Sequence, residues 1–155
     1  AQVESREEGV EGVVDLYRAI FAGDFDASFA AYEKWGFEGL TKELVEVLNI
    51  WARFIYGPLL DDRVRSVADG VLPGEYGRKE AFTVRKLLRE KGPVKIPREF
   101  VFMDRAAIGL GAAYLRLHAE LNFYQLFNES LEGFSVDTVA KRQADALATV
   151  GLAAV

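Results

Sequence analysis

The amino-acid sequence predicts an all-α fold, a single helical domain of six to seven helices over residues 1–155. Apolar residues recur with the period of a helix, the alternation typical of a β-strand is rare, and proline and glycine fall mostly between the periodic segments. With half of its residues hydrophobic, the chain is long enough to bury one core. We expect residues 1–9 to form a frayed lead-in and residues 150–155 a disordered tail.

The first two helices are predicted from their apolar spacing and from their ends. Apolar residues at helical spacing cover 10–22, after which Gly23 and Asp24 offer a stop and an N-cap. The second helix is expected to end near Gly36, because glycine readily adopts the left-handed conformation of a C-cap. One face of this helix carries three aromatic residues: Phe25, Phe29 and Tyr32.

The third helix has the clearest core stripe. Thr41 is its expected N-cap, and the Gly57-Pro58 step ends it. Between these ends, apolar residues repeat at i, i+4, i+7 and i+11: Leu44, Leu48, Trp51 and Ile55. A short helix is predicted over 59–68, and two turn-forming pairs within 69–74 predict a loop after it.

Four further helices complete the predicted domain. The fourth is predicted over 75–91 and the fifth over 98–119, while Asn122 caps a sixth and Ser135 or Asp137 a seventh. The fifth helix is expected to carry an apolar face: Met103, Ala107, Leu110, Tyr114 and Leu117.

Composition excludes several classes of site. The chain has no cysteine, so it has no disulfides, thiolate metal sites or cysteine nucleophiles, which agrees with a reducing cytosol. His118 is its only histidine, too few for a di-iron site built on paired Glu-x-x-His motifs. The phosphate-binding loop Gly-x-x-x-x-Gly-Lys-Ser/Thr and the nucleophile elbow Gly-x-Ser-x-Gly are also missing.

Charge and hydropathy limit the partners. The net charge of −5 is ordinary and predicts no nucleic-acid partner. The longest uncharged runs, 106–115 and 146–155, are about half the roughly 20 residues needed to cross a bilayer. We therefore expect a cytoplasmic protein, with peripheral contact to a membrane as the further option.

The fourth predicted helix has a basic face that could bind a partner. Arg78, Arg85 and Arg89 share this face at i, i+7 and i+11, and Phe82 lies among them. Such a face could contact anionic lipid or an acidic partner, and the alternative is an ordinary solvated surface. The opposite side is expected to face the core: Ala81, Val84, Leu87 and Leu88.

An acidic run near the N-terminus places several carboxylates on one helix face: Glu4, Glu7, Glu8, Glu11 and Asp15. Such a run can bind a divalent metal or perform acid–base chemistry, which would make the chain a self-contained enzyme. The alternative is a solvated terminus, because the sequence offers no second carboxylate helix.

The Asp104-Arg105 step stands inside an otherwise apolar helix. Buried charge is costly unless it is paired, so we expect Arg105 to be a structural anchor that bridges to a carboxylate or to helix-end carbonyls. Gly109 and Gly111 lie nearby and predict a strip of small residues against which another helix packs closely.

These features resemble the C-terminal part of the UbiB/AarF family of atypical kinase-like proteins over about 16–132. The resemblance is carried by five motifs: Tyr56-Gly57-Pro58-Leu59-Leu60, Tyr76-Gly77-Arg78, Pro97-Arg98-Glu99-Phe100-Val101-Phe102-Met103-Asp104-Arg105, Gly109-Leu110-Gly111 and Asn122-Phe123-Tyr124-Gln125-Leu126-Phe127. We call Arg98, Glu99, Asp104 and Arg105 the signature residues.

The resemblance implies a parent protein with a kinase-like fold that binds ATP and a divalent metal and supports isoprenoid quinone biosynthesis. The family's Lys-x-Gly-Gln and Asp-Phe-Gly motifs have no counterpart here, so no catalytic, cofactor-binding or metal-binding residue is carried over. The chain is then a non-catalytic C-terminal helical fragment, the distal part of a kinase-like large lobe. Its expected partners are the missing N-terminal catalytic half and quinone-biosynthesis proteins, with a free-standing binding module using helix 75–91 as the alternative.

Overall fold

The computed structural model describes the backbone of residues 2–68, 71–72 and 75–153 and, from Val10 onward, their side chains. These residues form seven α-helices and one short 3-10 helix, with no named strand, which confirms the all-α class. The helices are α1 (Gln2–Ala22), α2 (Phe25–Trp35), α3 (Lys42–Tyr56), α4 (Arg78–Lys91), α5 (Arg98–Arg116), α6 (Phe123–Leu131) and α7 (Val136–Thr149), and the 3-10 helix (Gly57–Leu60) follows α3 directly.

The helix starts that depend on polar caps lie where the sequence predicts them. Each of four side chains accepts a hydrogen bond from the backbone N–H three residues further on: Asp24, Thr41, Asn122 and Ser135. Ser135 is thus the cap of α7, and Asp137 lies in its first turn. Gly36 ends α2 with a φ of 102°, the left-handed conformation expected of it.

Several predicted boundaries are corrected by the structure. α1 begins at Gln2, so the backbone of 2–9 is helical rather than a frayed lead-in. α4 begins at Arg78 rather than residue 75, because Gly77 has a φ of 75° and interrupts the helical backbone. α5 ends at Arg116 rather than residue 119, since His118 has a φ of 50° and turns the chain.

The short helix predicted over 59–68 is wrong beyond Leu60. The chain is instead extended, and Arg65 and Leu121 exchange two backbone hydrogen bonds of 3.0 Å in an isolated antiparallel bridge. These bonds satisfy backbone groups that a helix would otherwise have paired, so tertiary context overrides local propensity. A second isolated bridge joins Glu38 and Lys95.

Some predicted segments fall on residues that the structure does not describe. The turn-forming pairs Asp69-Gly70 and Pro73-Gly74 lie outside the described residues, as do residues 154 and 155 of the predicted tail. Residues 150–153 are described and follow the end of α7 at Thr149.

The core lies between α1, α2 and α3 and includes one residue of α5. Its buried members are Leu16, Tyr17, Ile20, Ala31, Tyr32, Trp35, Phe37, Val45, Leu48, Ala52, Tyr56 and Phe100. Phe100 joins α5 to this core through edge-to-face contacts with Phe37 and Trp35, at ring-centroid distances of 4.9 and 5.0 Å. Such aromatic pairs add about 0.5–1.5 kcal/mol each beyond the area they bury. Phe100 therefore fixes which face of α5 points inward.

α6 and α7 differ in how firmly they attach to the rest. α6 packs against the 3-10 helix, and its Phe127 lies edge-to-face with Tyr17 at 4.8 Å. α7 touches α1 but has no fully buried residue. Across the part of the chain that the structure describes, none of the helices combines the length and the apolar character needed to cross a bilayer.

Candidate functional site

A cavity of about 490 Å³ lies where α3, α5 and α6 meet the 3-10 helix. Most of the side chains that line it are aliphatic or aromatic. They include Trp35, Trp51, Ile55, Tyr56, Tyr76, Phe100, Met103, Ala107, Leu110, Tyr114, Phe123, Leu126 and Phe127. Asp104 is the only acidic or basic side chain among the described residues that line the cavity.

The α3 side of the cavity comes from the predicted core stripe. Leu44 and Leu48 are buried, as expected, whereas Trp51 and Ile55 are only half-buried. These two residues lie further along the same stripe and line the cavity instead of filling the core. The stripe thus begins in the core and continues into the wall of the cavity.

The face predicted for α5 is wrong by about one position. Phe100, Gly111 and Leu115 are buried, whereas Leu110 and Leu117 are 57% and 75% exposed. Docking of Phe100 in the core sets the rotation of the helix. Because residues four and seven positions further on share its face, the inward side of α5 then includes Asp104, Ala107 and Gly111.

Asp104 makes one hydrogen bond, with a residue of α3. The Trp51 indole Nε1–H donates to Asp104 Oδ2 at 2.6 Å, and no other described residue donates to this carboxyl group. Burial raises the pKa of Asp104 from 3.8 to about 6, although the hydrogen bond from Trp51 works in the opposite direction. The carboxyl group is therefore mostly ionised at neutral pH but pays a desolvation cost for it.

A second, more open cleft of about 570 Å³ lies between α4 and the same wall. The two cavities share three lining residues: Trp51, Phe100 and Asp104. Arg85 and Arg89 of α4 line the cleft, but neither forms an ion pair with Asp104. The carboxyl group is thus part of a thin partition between an apolar cavity and a partly basic cleft.

The other three signature residues lie at the surface. Arg98, Glu99 and Arg105 are exposed, and no ion pair joins them to another described residue. The expectation that Arg105 is a buried anchor is therefore wrong. Adjacent residues on a helix point about 100° apart, so a rotation that brings Asp104 inward directs Arg105 outward.

The basic face of α4 is at the surface, as its spacing indicates. Arg78, Arg85 and Arg89 are exposed, and Phe82 is 71% exposed. On the opposite side Val84 is buried, and the other three core-facing residues are half-buried: Ala81, Leu87 and Leu88. The predicted division of α4 into two faces is confirmed.

The acidic run of α1 is used in part to hold α2. Glu11 and Asp15 accept hydrogen bonds from the Lys34 ammonium at 2.8 and 2.9 Å, and these bonds raise the pKa of Lys34. The side chains of Glu4, Glu7 and Glu8 lie outside the described residues. Elsewhere along the described chain, no group of three or more acidic or histidine side chains is placed to hold a metal ion.

The glycine strip of α5 serves a loop side chain, not a packed helix. A Cβ on Gly111 would lie 2.4 Å from Tyr76, whose ring covers this position from the segment before α4. Gly109 has no neighbour within 4 Å of where its Cβ would be. The prediction of close helix packing is therefore wrong at both glycines, although Gly111 does permit a close approach.

Comparisons with known proteins provide no relative from which a site could be transferred. No protein-family model matches the chain, and neither a curated protein nor a solved structure is significantly similar to it. The resemblance to the UbiB/AarF family therefore stays a prediction from the motifs.

Proposed function

We propose that this chain is a non-catalytic helical part of a kinase-like protein of the UbiB/AarF type, whose task is to pack against a catalytic half and support it. In this proposal the chain itself performs no chemistry. Binding of ATP and a divalent metal, and a role in isoprenoid quinone biosynthesis, belong to the parent protein alone.

The observation that carries the proposal is the exposure of three of the four signature residues. Since Arg98, Glu99 and Arg105 form no ion pair with a described residue, they are free to contact another polypeptide. Phe102, which is 62% exposed, shares a helix face with Arg98 and Arg105 through its spacing of four and three residues. Exposed aromatic and arginine side chains are enriched at protein–protein interfaces, which supports a contact role for this face.

The reading frame and a binding experiment test the proposal. We expect the parent frame to extend upstream into Lys-x-Gly-Gln and Asp-Phe-Gly motifs, and a frame without them would overturn the family assignment. The upstream segment, produced separately, should bind this chain, and Phe102→Glu should weaken that binding at least about tenfold. Phe82→Glu is the matched control, because Phe82 is similarly exposed but lies on α4.

A second measurement addresses the absence of catalysis. The chain alone should show no rise in melting temperature with Mg-ATP, because ligands stabilise only the proteins that bind them. A concentration-dependent rise would contradict a purely supporting role.

A free-standing binding module is the second candidate, and the exposure of Phe82 among arginines favours it. Such a module would use the basic face of α4 to bind anionic lipid or an acidic partner. In flotation with phosphatidylserine vesicles, it predicts binding that falls with added salt and with Phe82→Ala. Absence of binding both to these vesicles and to an acidic peptide would exclude this candidate.

A further inference from the structure

The cavity between α3, α5 and α6 has the size and lining of a small-molecule site. Its volume of about 490 Å³ falls within the roughly 300–1,000 Å³ typical of ligand pockets. Such sites are mostly apolar with a few placed polar groups, and here Asp104 is the only charged group among the described lining residues. The chemistry of this one carboxyl group therefore decides which ligand fits.

One oxygen of the carboxyl group is available to a ligand. Trp51 donates to Oδ2, and no described residue donates to Oδ1. An ionised carboxylate has several acceptor positions, so Oδ1 can accept a further hydrogen bond without loss of the bond to Trp51. The indole ring in turn holds the carboxyl group in place.

The negative charge of Asp104 is not compensated inside the domain. Neither Arg85 nor Arg89 pairs with it, and the pKa of the carboxyl group is raised, not lowered as a nearby cation would make it. Its charge also reaches Tyr56, whose pKa is raised first by burial and then by Asp104. A cation placed in the cavity would offset this charge, whereas an anion would be repelled.

Aromatic side chains of the cavity suit a cation as well. Trp51 and Phe100 line both cavities beside Asp104, and Trp35 lines the inner one. The faces of such rings attract ammonium groups, with tryptophan the strongest of the three aromatic residue types. Partly exposed Met103 and Leu110 of α5 lie at the rim, where a ligand can enter.

We infer that this cavity binds a small organic cation with an apolar body, such as an alkylamine or arylamine. The ammonium group donates to Asp104 Oδ1, and the apolar body occupies the cavity among the aromatic residues. This site lies on the inward side of α5, so it does not depend on the contact role proposed for the exposed side.

Three probes of equal chain length separate charge from apolar burial: octylamine, 1-octanol and octanoate. Both tryptophans of the chain line the cavity, so their intrinsic fluorescence reports binding directly. At about pH 7.5 the carboxyl group is ionised, and we expect octylamine to bind at least about tenfold more tightly than 1-octanol. Octanoate should bind more weakly than 1-octanol.

Two variants and one control locate the site. Asp104→Asn keeps the shape but removes the charge, and it should make the affinities for octylamine and 1-octanol equal. Asp145→Asn removes an exposed carboxylate on α7 and should leave the tenfold preference intact. Ala107→Leu reduces the cavity volume and should weaken both probes alike, with circular dichroism confirming that each variant is folded.

The inference is overturned if octylamine and 1-octanol bind the unaltered chain equally, which would indicate an apolar cavity without charge selectivity. It is also overturned if octylamine shows no saturable binding, or if the preference survives in Asp104→Asn.

Discussion

Replacement of Asp104 by asparagine should stabilise the domain at neutral pH. The carboxyl group is held in a partly buried position, and its pKa rises from 3.8 to about 6 on folding. A carboxyl group with a raised folded-state pKa favours the folded state below its unfolded pKa, and this contribution is lost as pH rises through the folded pKa. Asparagine does not titrate, so Asp104→Asn removes the penalty of the charge without a change of shape.

The magnitude follows from the size of the pKa shift. Each pKa unit corresponds to about 1.4 kcal/mol, so full shielding would give about 3 kcal/mol. The side chain is partly exposed, and solvent screening reduces the effect to about 1–2 kcal/mol. We therefore expect the variant to gain about 1–2 kcal/mol over the original chain as pH rises from about 4.5 to about 7.5.

Urea denaturation at a series of pH values measures this difference. Far-UV circular dichroism is the appropriate signal, because the fluorescence of Trp51 itself responds to its hydrogen bond with Asp104. Asp145→Asn, on the exposed side of α7, is the control and should change stability by less than about 0.5 kcal/mol throughout. A constant difference between the Asp104 variant and the original chain, or one that shrinks as pH rises, would refute the reasoning.

Two further predictions concern α5. Gly111→Ala should destabilise the domain by about 1–3 kcal/mol because the new Cβ meets the ring of Tyr76, whereas Gly109→Ala should stabilise it by about 0.5–1 kcal/mol because that position is open; thermal unfolding of the pair measures both, and equal shifts would contradict the close contact. Arg105→Ala should change the free energy of unfolding by no more than about 0.5 kcal/mol because the side chain is exposed, and a loss of several kcal/mol in urea denaturation would show that Arg105 is an anchor after all.

The helix ends were predictable because their causes are local. Asp24, Thr41 and Asn122 each bond a backbone N–H within the same turn, so a few consecutive letters of sequence contain the whole interaction. The α4 faces were predictable for the same reason, since residues on one side of a helix are fixed by spacing alone.

The cavity could not be predicted because its contacts are distant along the chain. Trp51 and Asp104 lie 53 positions apart, and their hydrogen bond depends on how α5 rotates against α3. That rotation is set by Phe100, which the sequence does not distinguish from its apolar neighbours Val101 and Phe102. An error of one position in this rotation exchanged the expected places of Asp104 and Arg105.

The two isolated backbone bridges bear on the order in which the domain forms. Glu38 pairs with Lys95, and Arg65 pairs with Leu121, so each bridge closes a long stretch of chain. Closing such loops costs chain entropy before the contact is gained, whereas α1 and α2 meet through a turn at Gly23. We expect the α1–α2 hairpin to acquire amide protection early during refolding, and the amides of Lys95 and Leu121 to become protected among the last.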